Sequence, residues 1–284
     1  MEKTGIIPFT LFSGAGKAAG STFLRVDSLV ENTPDFEVWK HGKQYDSLIF
    51  QKAYWTEMME AFKGPKILDL CDPSWVREMV DIIETGKLVD AFTCSSAELT
   101  KLIGSYFPGK IVEYVPDRLD LKQYPYPVKI HQDEARNVTW FGFIHNAYST
   151  LAQLHPALKR NRLKLTIIAN EPYEEDDEIK ALKPEFIKYD QSTIHHNLRK
   201  ADIVLNPRTD KAFFKYKSNN KSIISWKLGI PVAETNADID RLMDPYERNK
   251  EIPEKQSLVD KDYNILQSAD QYRSVINRIK MDKM

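Results

Sequence analysis

The chain alternates twice between strand-like and helix-like runs, and a proline-rich stretch separates the two series. The first series predicts strands at 6–12, 35–40, 46–51, 65–71, 90–95 and 110–115, and helices near 21–32, 56–62, 74–85 and 96–107. The second predicts strands at 137–143, 164–170, 185–189, 201–206 and 230–234, and helices near 148–159, 192–199 and 219–228. Such alternation is typical of a parallel sheet covered by helices on both faces. The sequence therefore predicts an α/β protein built from two Rossmann-like halves.

The stretch between the two series, YPYPVKIHQDEAR at 124–136, is rich in proline and charge and predicts an interdomain linker. We therefore expect a first domain at 1–124, a linker at 125–136, a second domain at 137–260 and a terminal segment at 261–284. Apolar residues recur at helical spacing in that last segment, namely Leu266, Ala269, Tyr272, Val275, Ile276 and Ile279. This pattern predicts an amphipathic helix that packs on one of the domains.

Composition excludes several classes of protein. Hydrophobic residues make up 42% and charged residues 29%, as in ordinary globular proteins, and no apolar stretch is long enough to span a membrane. The net charge of -1 lacks the basic excess of a dedicated nucleic-acid binder. We expect a cytoplasmic protein with no nucleic-acid partner, in which Cys71 and Cys94 are buried thiols rather than a disulfide or zinc ligands.

The glycine-rich stretch FSGAGKAAGSTFLR, at 12–25, follows the first predicted strand. It is not a Walker loop, because Lys17 is followed by Ala18 where a magnesium-binding hydroxyl is required. Its glycines, which include Gly14 and Gly16, also lack the spacing of a dinucleotide fingerprint. Two interpretations remain: a turn whose N–H groups accept an anion, or a turn that lets the chain pass close to a ligand.

The stretch FFKYKSNNKSIISWKLGIPVAE, at 213–234, predicts an anion site. Lys215 and Lys217 come just before Ser218, Asn219 and Asn220, which can cap the helix that follows. A helix N-terminus offers unpaired N–H groups and the positive end of the helix dipole. Phosphate is the expected guest, although lysines in a loop are more commonly only solvated.

This segment, from KSNNK to GIPVA, resembles the donor-binding segment of GT-B-fold glycosyltransferases, particularly the bacterial group often labelled group 1. Other pieces agree in order. WFGFIHN at 140–146 is similar to the first strand and loop of their C-terminal domain, and RKADIVLNP at 199–207 is similar to the strand before the donor site. In the first half, YDSLIFQK at 45–52 and CSSAEL at 94–99 also resemble the family.

The resemblance implies two Rossmann-like domains that face each other across a cleft, with the acceptor on the N-terminal domain and the donor on the C-terminal one. It implies transfer of a hexose from a UDP- or GDP-linked sugar to a glycan, a lipid-linked glycan or a small molecule. No cofactor or catalytic metal is expected, and retention of anomeric configuration is the family expectation. The sequence departs from the family at Tyr216 and Ile224, where retaining members often carry glutamates. The contacts of those glutamates must come from other residues or be absent.

The resemblance also assigns roles to residues. Lys217 would stabilise the negative charge that gathers on the leaving diphosphate, assisted by Arg208, Lys215, Asn219 and Asn220. The loop from Gly142 to Asn146, which contains His145, would face the same diphosphate through its backbone. In the first domain, the turn that contains Gly14 and Gly16 would let the acceptor or the donor phosphate approach.

Three further polar residues in the first half have alternative interpretations. Asp72 ends a predicted parallel strand, where it would orient or deprotonate an acceptor hydroxyl, or else cap a helix that begins near Ser74. Arg25 either points toward the cleft or is an ordinary surface charge. Ser95 and Glu98 have the spacing of a capping box, so a structural role is expected for that serine.

One alternative function stays open. A non-catalytic nucleotide-sugar binding protein, or a degenerate transferase subunit, would keep the lysine-rich anion site and lack the paired glutamates, as this chain does. A sugar-nucleotide epimerase or dehydrogenase would instead need a glycine fingerprint and a Tyr-x-x-x-Lys pair in the first half, and neither is present.

Overall fold

The structure is a computed structural model that describes residues 2–13, 20–76, 79–148, 150–209 and 212–283. The strands up to residue 123 are β1 (Thr4–Pro8), β2 (Phe36–Val38), β3 (Ser47–Gln51), β4 (Lys66–Leu70), β5 (Ala91–Cys94) and β6 (Ile111–Tyr114). The α-helices in the same part are α1 (Thr10–Ser13), α2 (Gly20–Thr22), α3 (Ser28–Asn32), α4 (Thr56–Ala61), α5 (Ile82–Lys87) and α6 (Ala97–Tyr106). A π-helical turn, Phe23–Asp27, joins α2 to α3.

The remaining strands are β7 (Asn137–Gly142), β8 (Lys164–Ala169), β9 (Glu185–Lys188), β10 (Ile203–Leu205) and β11 (Val232–Ala233). The helices up to residue 215 are α7 (Ile144–Tyr148), α8 (His155–Arg160), α9 (Asp177–Ala181), α10 (Ile194–Leu198) and α11 (Ala212–Lys215). The last helices are α12 (Asn220–Lys227), α13 (Asn236–Leu242), α14 (Pro245–Asp262) and α15 (Ile265–Asp282).

The chain divides into two compact units. The first consists of Met1–Gln123, Ala212–Asn219 and Tyr263–Met284, and the second of Tyr124–Lys211 and Asn220–Asp262. The short segment Ala212–Asn219 therefore groups with the first unit, although it is far from most of that unit in sequence. This grouping matters for the functional site, because four of the sequence-predicted site residues lie in that segment.

The first unit contains a six-stranded parallel sheet in the order β2-β1-β3-β4-β5-β6. Successive side chains of a strand point to opposite faces, so Ile6 and Ile7 join two separate core clusters. Helix α15 contributes Tyr272 and Ile276 to the cluster that contains Ile6. The prediction of a parallel α/β sheet in this half is confirmed.

The second unit contains a five-stranded parallel sheet in the order β11-β10-β7-β8-β9. Its core combines the inward side chains of the central strands, such as Trp140 and Ile167, with apolar residues of the surrounding helices, such as Leu158 and Ile239. All the strand pairs in this sheet are parallel, as predicted. The chain reverses its direction of travel across the sheet between β7 and β10, and this switch point positions the candidate site.

Three local predictions in the first half are wrong. The predicted helix at 74–85 is a 3-10 turn, Ser74–Val76, followed by α5, which begins at Ile82 because the Asp81 carboxylate accepts the N–H groups of its first turn. The predicted strand at 6–12 ends at Pro8. Ser95 is not a helix cap: its hydroxyl donates to the Cys71 carbonyl at 2.8 Å, and Ser96 caps α6 instead.

Candidate functional site

The carboxyl end of β7, at the switch point of the second sheet, is built for close approach to the backbone. Gly142 ends this strand with φ of 138°, a conformation that L side chains rarely adopt. A Cβ atom at this position would lie 3.1 Å from Cε and 3.2 Å from Nζ of Lys221. Glycine is therefore required both by its backbone angle and by the lysine beside it.

Lys221, the second residue of α12, places a cation at this glycine. Its Nζ lies 3.9 Å from the centre of the Trp140 ring and 5.8 Å from that of Phe141. An ammonium over an aromatic face is stabilised by the ring quadrupole, which holds the charge in one place. Lys221 belongs to the KSNNK motif, but the cationic role was predicted for Lys215 and Lys217, so the lysine beside Gly142 was missed.

Helix α12 is fixed to the neighbouring strand at its first turn. The Nδ2 of Asn206, just after β10, donates to the Ser222 hydroxyl at 3.1 Å, and both side chains are buried. The helix begins at Asn220. The positive end of its dipole and the Lys221 ammonium therefore belong to the same turn, an arrangement that attracts an anion.

The predicted loop from Gly142 to Asn146 is mostly helical, because α7 begins at Ile144, and hydrogen bonds within the protein order this segment. The Ile144 N–H donates to Oδ1 of Asn170 at 2.9 Å, and the Asn146 N–H donates to the Phe143 carbonyl at 2.9 Å. Because these two N–H groups are already bonded, the predicted backbone contact with a diphosphate would have to come from the other N–H groups of this segment. His145 is exposed, and its ring centre lies 5.1 Å from that of Phe143.

Two charged side chains follow the next two strands of this sheet. Arg208 comes after β10 and Glu234 after β11, and Nε of Arg208 lies 3.6 Å from Oε1 of Glu234. Burial raises the pKa of Glu234, and the charge of Arg208 opposes that rise. The structure places Arg208 at the carboxyl edge of the sheet and adds Glu234, whose position as the last residue of the predicted strand at 230–234 was its only sequence signal.

The segment before α12 has its described hydrogen bonds in the first unit. The Ser218 hydroxyl donates to Oδ2 of Asp117 at 2.6 Å, and Nδ2 of Asn219 donates to the Tyr263 hydroxyl at 3.2 Å. The Tyr216 carbonyl accepts from the Ser96 hydroxyl at 2.8 Å. The bonds found for Ser218 and Asn219 thus run to the first unit, whereas capping of α12 was the prediction.

The two lysines of this segment differ in exposure. Lys215 is exposed, and its Nζ lies 5.9 Å from the centre of the Tyr216 ring. Lys217 is half-buried, with its Nζ 5.2 Å from the centre of the Phe214 ring. These lysines, with Ser218 and Asn219, group with the first unit, whereas the other described site residues of the second half, Gly142, His145, Asn146, Arg208 and Asn220, group with the second.

Asp117 belongs to a buried charge cluster that the sequence did not reveal. Arg25 donates to both oxygens of Asp69, at 2.8 and 2.6 Å, and to Oδ1 of Asp117 at 2.9 Å. The Tyr272 hydroxyl donates to Asp69 at 3.0 Å. Burial alone would lower the pKa of Arg25, but the Asp69 charge raises it well above its usual value. Both interpretations of Arg25, as a cleft residue or a surface charge, are therefore wrong.

In the first unit, Asp72 lies at the carboxyl end of β4, and its Oδ1 pairs with Nζ of Lys52 at 3.1 Å. It is not the cap of the next α-helix, because Asp81 fills that role for α5. Cys71, next to it, and Cys94 are buried thiols, as predicted, and burial raises the pKa of each. Gly14 and Gly16 lie outside the described residues.

Among the described residues, no three His, Cys, Asp or Glu side chains come together in a group that could hold a metal ion. Within the same ranges, no helix combines the length and the apolar character needed to cross a membrane.

No protein-family model and no curated protein matches this sequence. Solved structures do match its fold. Anabaena Alr3699/HepE, solved in complex with UDP and glucose, aligns with a TM-score of 0.69 at 11% identity, over 98% of this chain and 99% of that chain. The chain has the GT-B fold.

Other glycosyltransferases share this fold. AviGT4, a glycosyltransferase involved in Avilamycin A biosynthesis, aligns with a TM-score of 0.57 at 12% identity over 98% of each chain. TarM aligns with a TM-score of 0.62 at 10% identity, over 81% of this chain and 54% of that chain. These structures confirm the GT-B fold that the sequence resemblance suggested. This chain spans about half the length of the TarM chain.

Proposed function

We propose that the protein is a glycosyltransferase that moves a hexose from a nucleoside-diphosphate sugar to an acceptor hydroxyl. The observation that carries the proposal is the arrangement at the carboxyl end of β7, where Gly142 lies under the Lys221 ammonium at the first turn of α12. In open α/β sheets, ligands bind beyond the carboxyl ends of the strands at the switch point. A bare backbone, a fixed cation and a helix N-terminus together suit a diphosphate.

The chemistry follows from where charge develops. Transfer breaks the bond between the anomeric carbon and a diphosphate oxygen, so negative charge gathers on the leaving group in the transition state. The Lys221 ammonium and the first-turn amides of α12, beginning at Asn220, would stabilise that charge. A single well-placed donor of this kind is typically worth about 3 to 4 kcal/mol in the transition state. This stabilisation is selective, because the ground-state sugar bears less negative charge at that oxygen.

Several finer points belong to the same proposal. We take UDP as the nucleotide, because HepE was solved with UDP-glucose as well as with UDP and glucose. We propose transfer with retention and without a metal, with protein cations in the charge-neutralising role. Lys217 and Lys215 in the adjoining segment, Arg208 after β10 and the loop that carries His145 and Asn146 are proposed as supporting donor contacts. The acceptor is assigned to the first unit, at Asp72.

A non-catalytic nucleotide-sugar binding protein is the second candidate. The observation that favours it is the absence of the family's glutamates at Tyr216 and Ile224, and the Tyr216 side chain packs against the core of the first unit. Glu234, a carboxylate that pairs with Arg208 at the carboxyl edge of the same sheet, favours the transferase over the binding protein. Turnover, rather than binding, separates the two candidates.

The first experiment measures binding of UDP, GDP, ADP and NAD by isothermal titration calorimetry. We expect UDP to bind and Lys221→Met to weaken that binding about 10- to 100-fold, as for loss of a charged hydrogen bond of about 1.5 to 3 kcal/mol. Lys227→Met is the matched control, because Lys227 lies at the other end of α12 and pairs with the half-exposed Asp260. Binding of NAD alone would overturn the proposal.

The second experiment tests catalysis. The full chain is incubated with UDP-glucose and a mixture of glycan and small-molecule acceptors, and the products are followed by mass spectrometry. A mass gain of one hexose on an acceptor, lost in Lys221→Met and kept in Lys227→Met, supports the transferase. Tight UDP binding with no transfer from any nucleotide-sugar supports the binding-only candidate.

A further inference from the structure

The first sheet has a switch point of its own. Its order, β2-β1-β3-β4-β5-β6, means that the chain leaves β1 toward one edge and then returns to build the other side from β3. A ligand crevice is expected beyond the carboxyl ends of β1 and β3. Gln51 ends β3 there and is buried, and its Oε1 accepts the N–H of Phe9, the residue after β1, at 3.1 Å. The two strand ends are thus held in a fixed relation.

Lys52, the next residue, has an unusual backbone. Its φ is 51°, in the left-handed region that a long side chain rarely adopts. Its N–H donates to the Asp69 carbonyl at 2.9 Å, so the surrounding sheet enforces this conformation. Backbone strain of this kind concentrates at ligand sites, where it aims a side chain that an ordinary strand would direct elsewhere.

The strained backbone aims the lysine at Asp72. The Lys52 Nζ lies 3.1 Å from Oδ1 of Asp72 and 4.9 Å from the centre of the Phe9 ring. The side chains of Lys52 and Asp72 are 10% and 21% exposed. Oδ1 of Asp72 has almost no accessible surface, although the side chain as a whole is one-fifth exposed. One carboxylate oxygen is therefore buried beside the Lys52 ammonium, and another part of the side chain is open to a ligand.

We propose that Lys52 and Asp72 form a binding site for the hydroxyl groups of a neutral carbohydrate, which is the acceptor; this assignment rests on the proposed transferase function. Asp72 can only accept hydrogen bonds and Lys52 can only donate them, so the pair matches two neighbouring hydroxyls of one sugar. The Phe9 ring adds an apolar surface beside them. The charges of Lys52 and Asp72 offset each other, so the pair itself favours a neutral hydroxyl over a carboxylate or a phosphate.

A purely structural ion pair could be placed on an unstrained backbone, whereas a left-handed lysine lowers stability. The described non-glycine residues with such an angle are Lys52, Met79, Arg162 and Lys183. Of these, Lys52 directly follows a strand, and its ammonium pairs with a carboxylate at the end of the next strand of the sheet. It is this position at the carboxyl edge of the sheet, together with the backbone angle, that favours a ligand-binding role.

The test measures sugar binding directly by saturation-transfer difference NMR on the full chain saturated with UDP. The probes are methyl α-D-glucopyranoside, its uronic acid counterpart and glucose 6-phosphate. We expect the neutral glycoside to bind most tightly and Asp72→Asn to weaken it about tenfold, as for loss of a charged hydrogen bond. The affinity for UDP should stay within about twofold of wild type, since the proposed donor site lies in the other unit.

Lys52→Gly separates binding from folding. Glycine suits the left-handed angle, so this variant should unfold within a few degrees of wild type and yet bind the glycoside about tenfold more weakly. A structural role predicts the reverse, with lower stability and unchanged sugar binding. The proposal is overturned by tighter binding of either anionic probe, by wild-type sugar binding in both variants, or by no binding of the neutral glycoside at all while UDP binds. Failure of the wild-type chain to bind UDP would instead count against the proposed function.

Discussion

The Ser218 hydroxyl and the Asp117 carboxylate are joined by a 2.6 Å hydrogen bond, and the other oxygen of Asp117 accepts from Arg25 at 2.9 Å. The short segment that carries Lys215 and Lys217 is thus attached to a buried charge cluster. Because Arg25 and Asp117 are almost completely buried, the anchoring point is rigid. The positions of Lys215 and Lys217 depend on it, since both lie within three residues of Ser218.

Loss of this hydrogen bond should loosen the segment without unfolding the protein. We expect Ser218→Ala to lower the free energy of unfolding by about 1 to 2 kcal/mol, the value for one hydrogen bond to a charged group. Amide hydrogen exchange at 214–219 should become faster, and Ser218→Thr should restore it. Ser105→Ala is the control, because that exposed hydroxyl donates only to the Leu102 carbonyl of its own helix. Unchanged exchange in Ser218→Ala would show that the segment is anchored by other contacts.

Gly142 should not tolerate a side chain. Gly142→Ala would require φ of 138° for alanine and a Cβ 3.1 Å from Cε of Lys221. We expect a loss of about 1 to 3 kcal/mol in the free energy of unfolding, because alanine is strained at this angle, and weaker UDP binding, because the added methyl group displaces the end of Lys221 by a few tenths of an ångström. Gly104→Ala is the matched control: it lies in α6 with nothing within 4 Å of an added Cβ, so it should stabilise by about 0.5 to 1 kcal/mol. Urea unfolding and calorimetry with UDP measure both effects.

His131 should make the second unit sensitive to acid. Its Nε2–H donates to the Gly229 carbonyl at 3.0 Å, and burial lowers its pKa to about 4. In the unfolded chain the imidazole is protonated near pH 6.5, whereas in the folded chain it is protonated only near pH 4. The neutral His131 therefore contributes to the free energy of unfolding fully above pH 6.5, and this contribution, of up to about 3 kcal/mol, is lost as the pH falls toward 4.

The variant that checks this is His131→Gln, which keeps an N–H donor for the Gly229 carbonyl and removes the titration. The slope of the free energy of unfolding between pH 6.5 and pH 4 should flatten in this variant. His196→Gln, at an exposed position, serves as the control. An identical slope in wild type and His131→Gln would mean that His131 does not carry the pH dependence.

Much of the fold could be predicted from sequence because its strands are buried runs with clear boundaries. Residues such as Ile49 and Ile167 lie in continuous apolar stretches that only a covered parallel sheet would bury on both faces. The position of Asp72 at the carboxyl edge of its sheet could be predicted for the same reason, since ligands gather at that edge. Gly142 and Arg208 were predicted as site residues from the family resemblance, and the functional roles of all three stay predictions. The prediction of the α6 cap failed because Ser95 and Ser96 are adjacent and both carry a hydroxyl that can cap a helix. The sequence does not show that the Ser95 hydroxyl donates to the Cys71 carbonyl, which leaves Ser96 as the cap.

The polar interior could not be predicted, because its partners are distant in sequence. Arg25, Asp69, Asp117 and Tyr272 meet only after both ends of the first unit have folded together. The choice between lysines was equally hidden: Lys217 and Lys221 lie in the same polar run, and only the position of the Trp140 ring selects Lys221 for the glycine. Lys52 gave no sequence signal, since a left-handed backbone is a tertiary constraint.

Removal of the Arg25 guanidinium should be the most damaging single change in the first unit. Arg25→Met would leave the carboxylates of Asp69 and Asp117 buried without their cation, which costs about 3 to 5 kcal/mol.

Urea unfolding of wild type and Arg25→Met measures this loss. Arg278→Met is the control, because Arg278 pairs with Glu113 at 2.9 Å on the surface, where both side chains are at least one-third exposed. That change should cost no more than about 1 kcal/mol. A loss for Arg25→Met as small as that of the control would mean that water reaches the carboxylates and that the cluster is not the rigid anchor of Ser218.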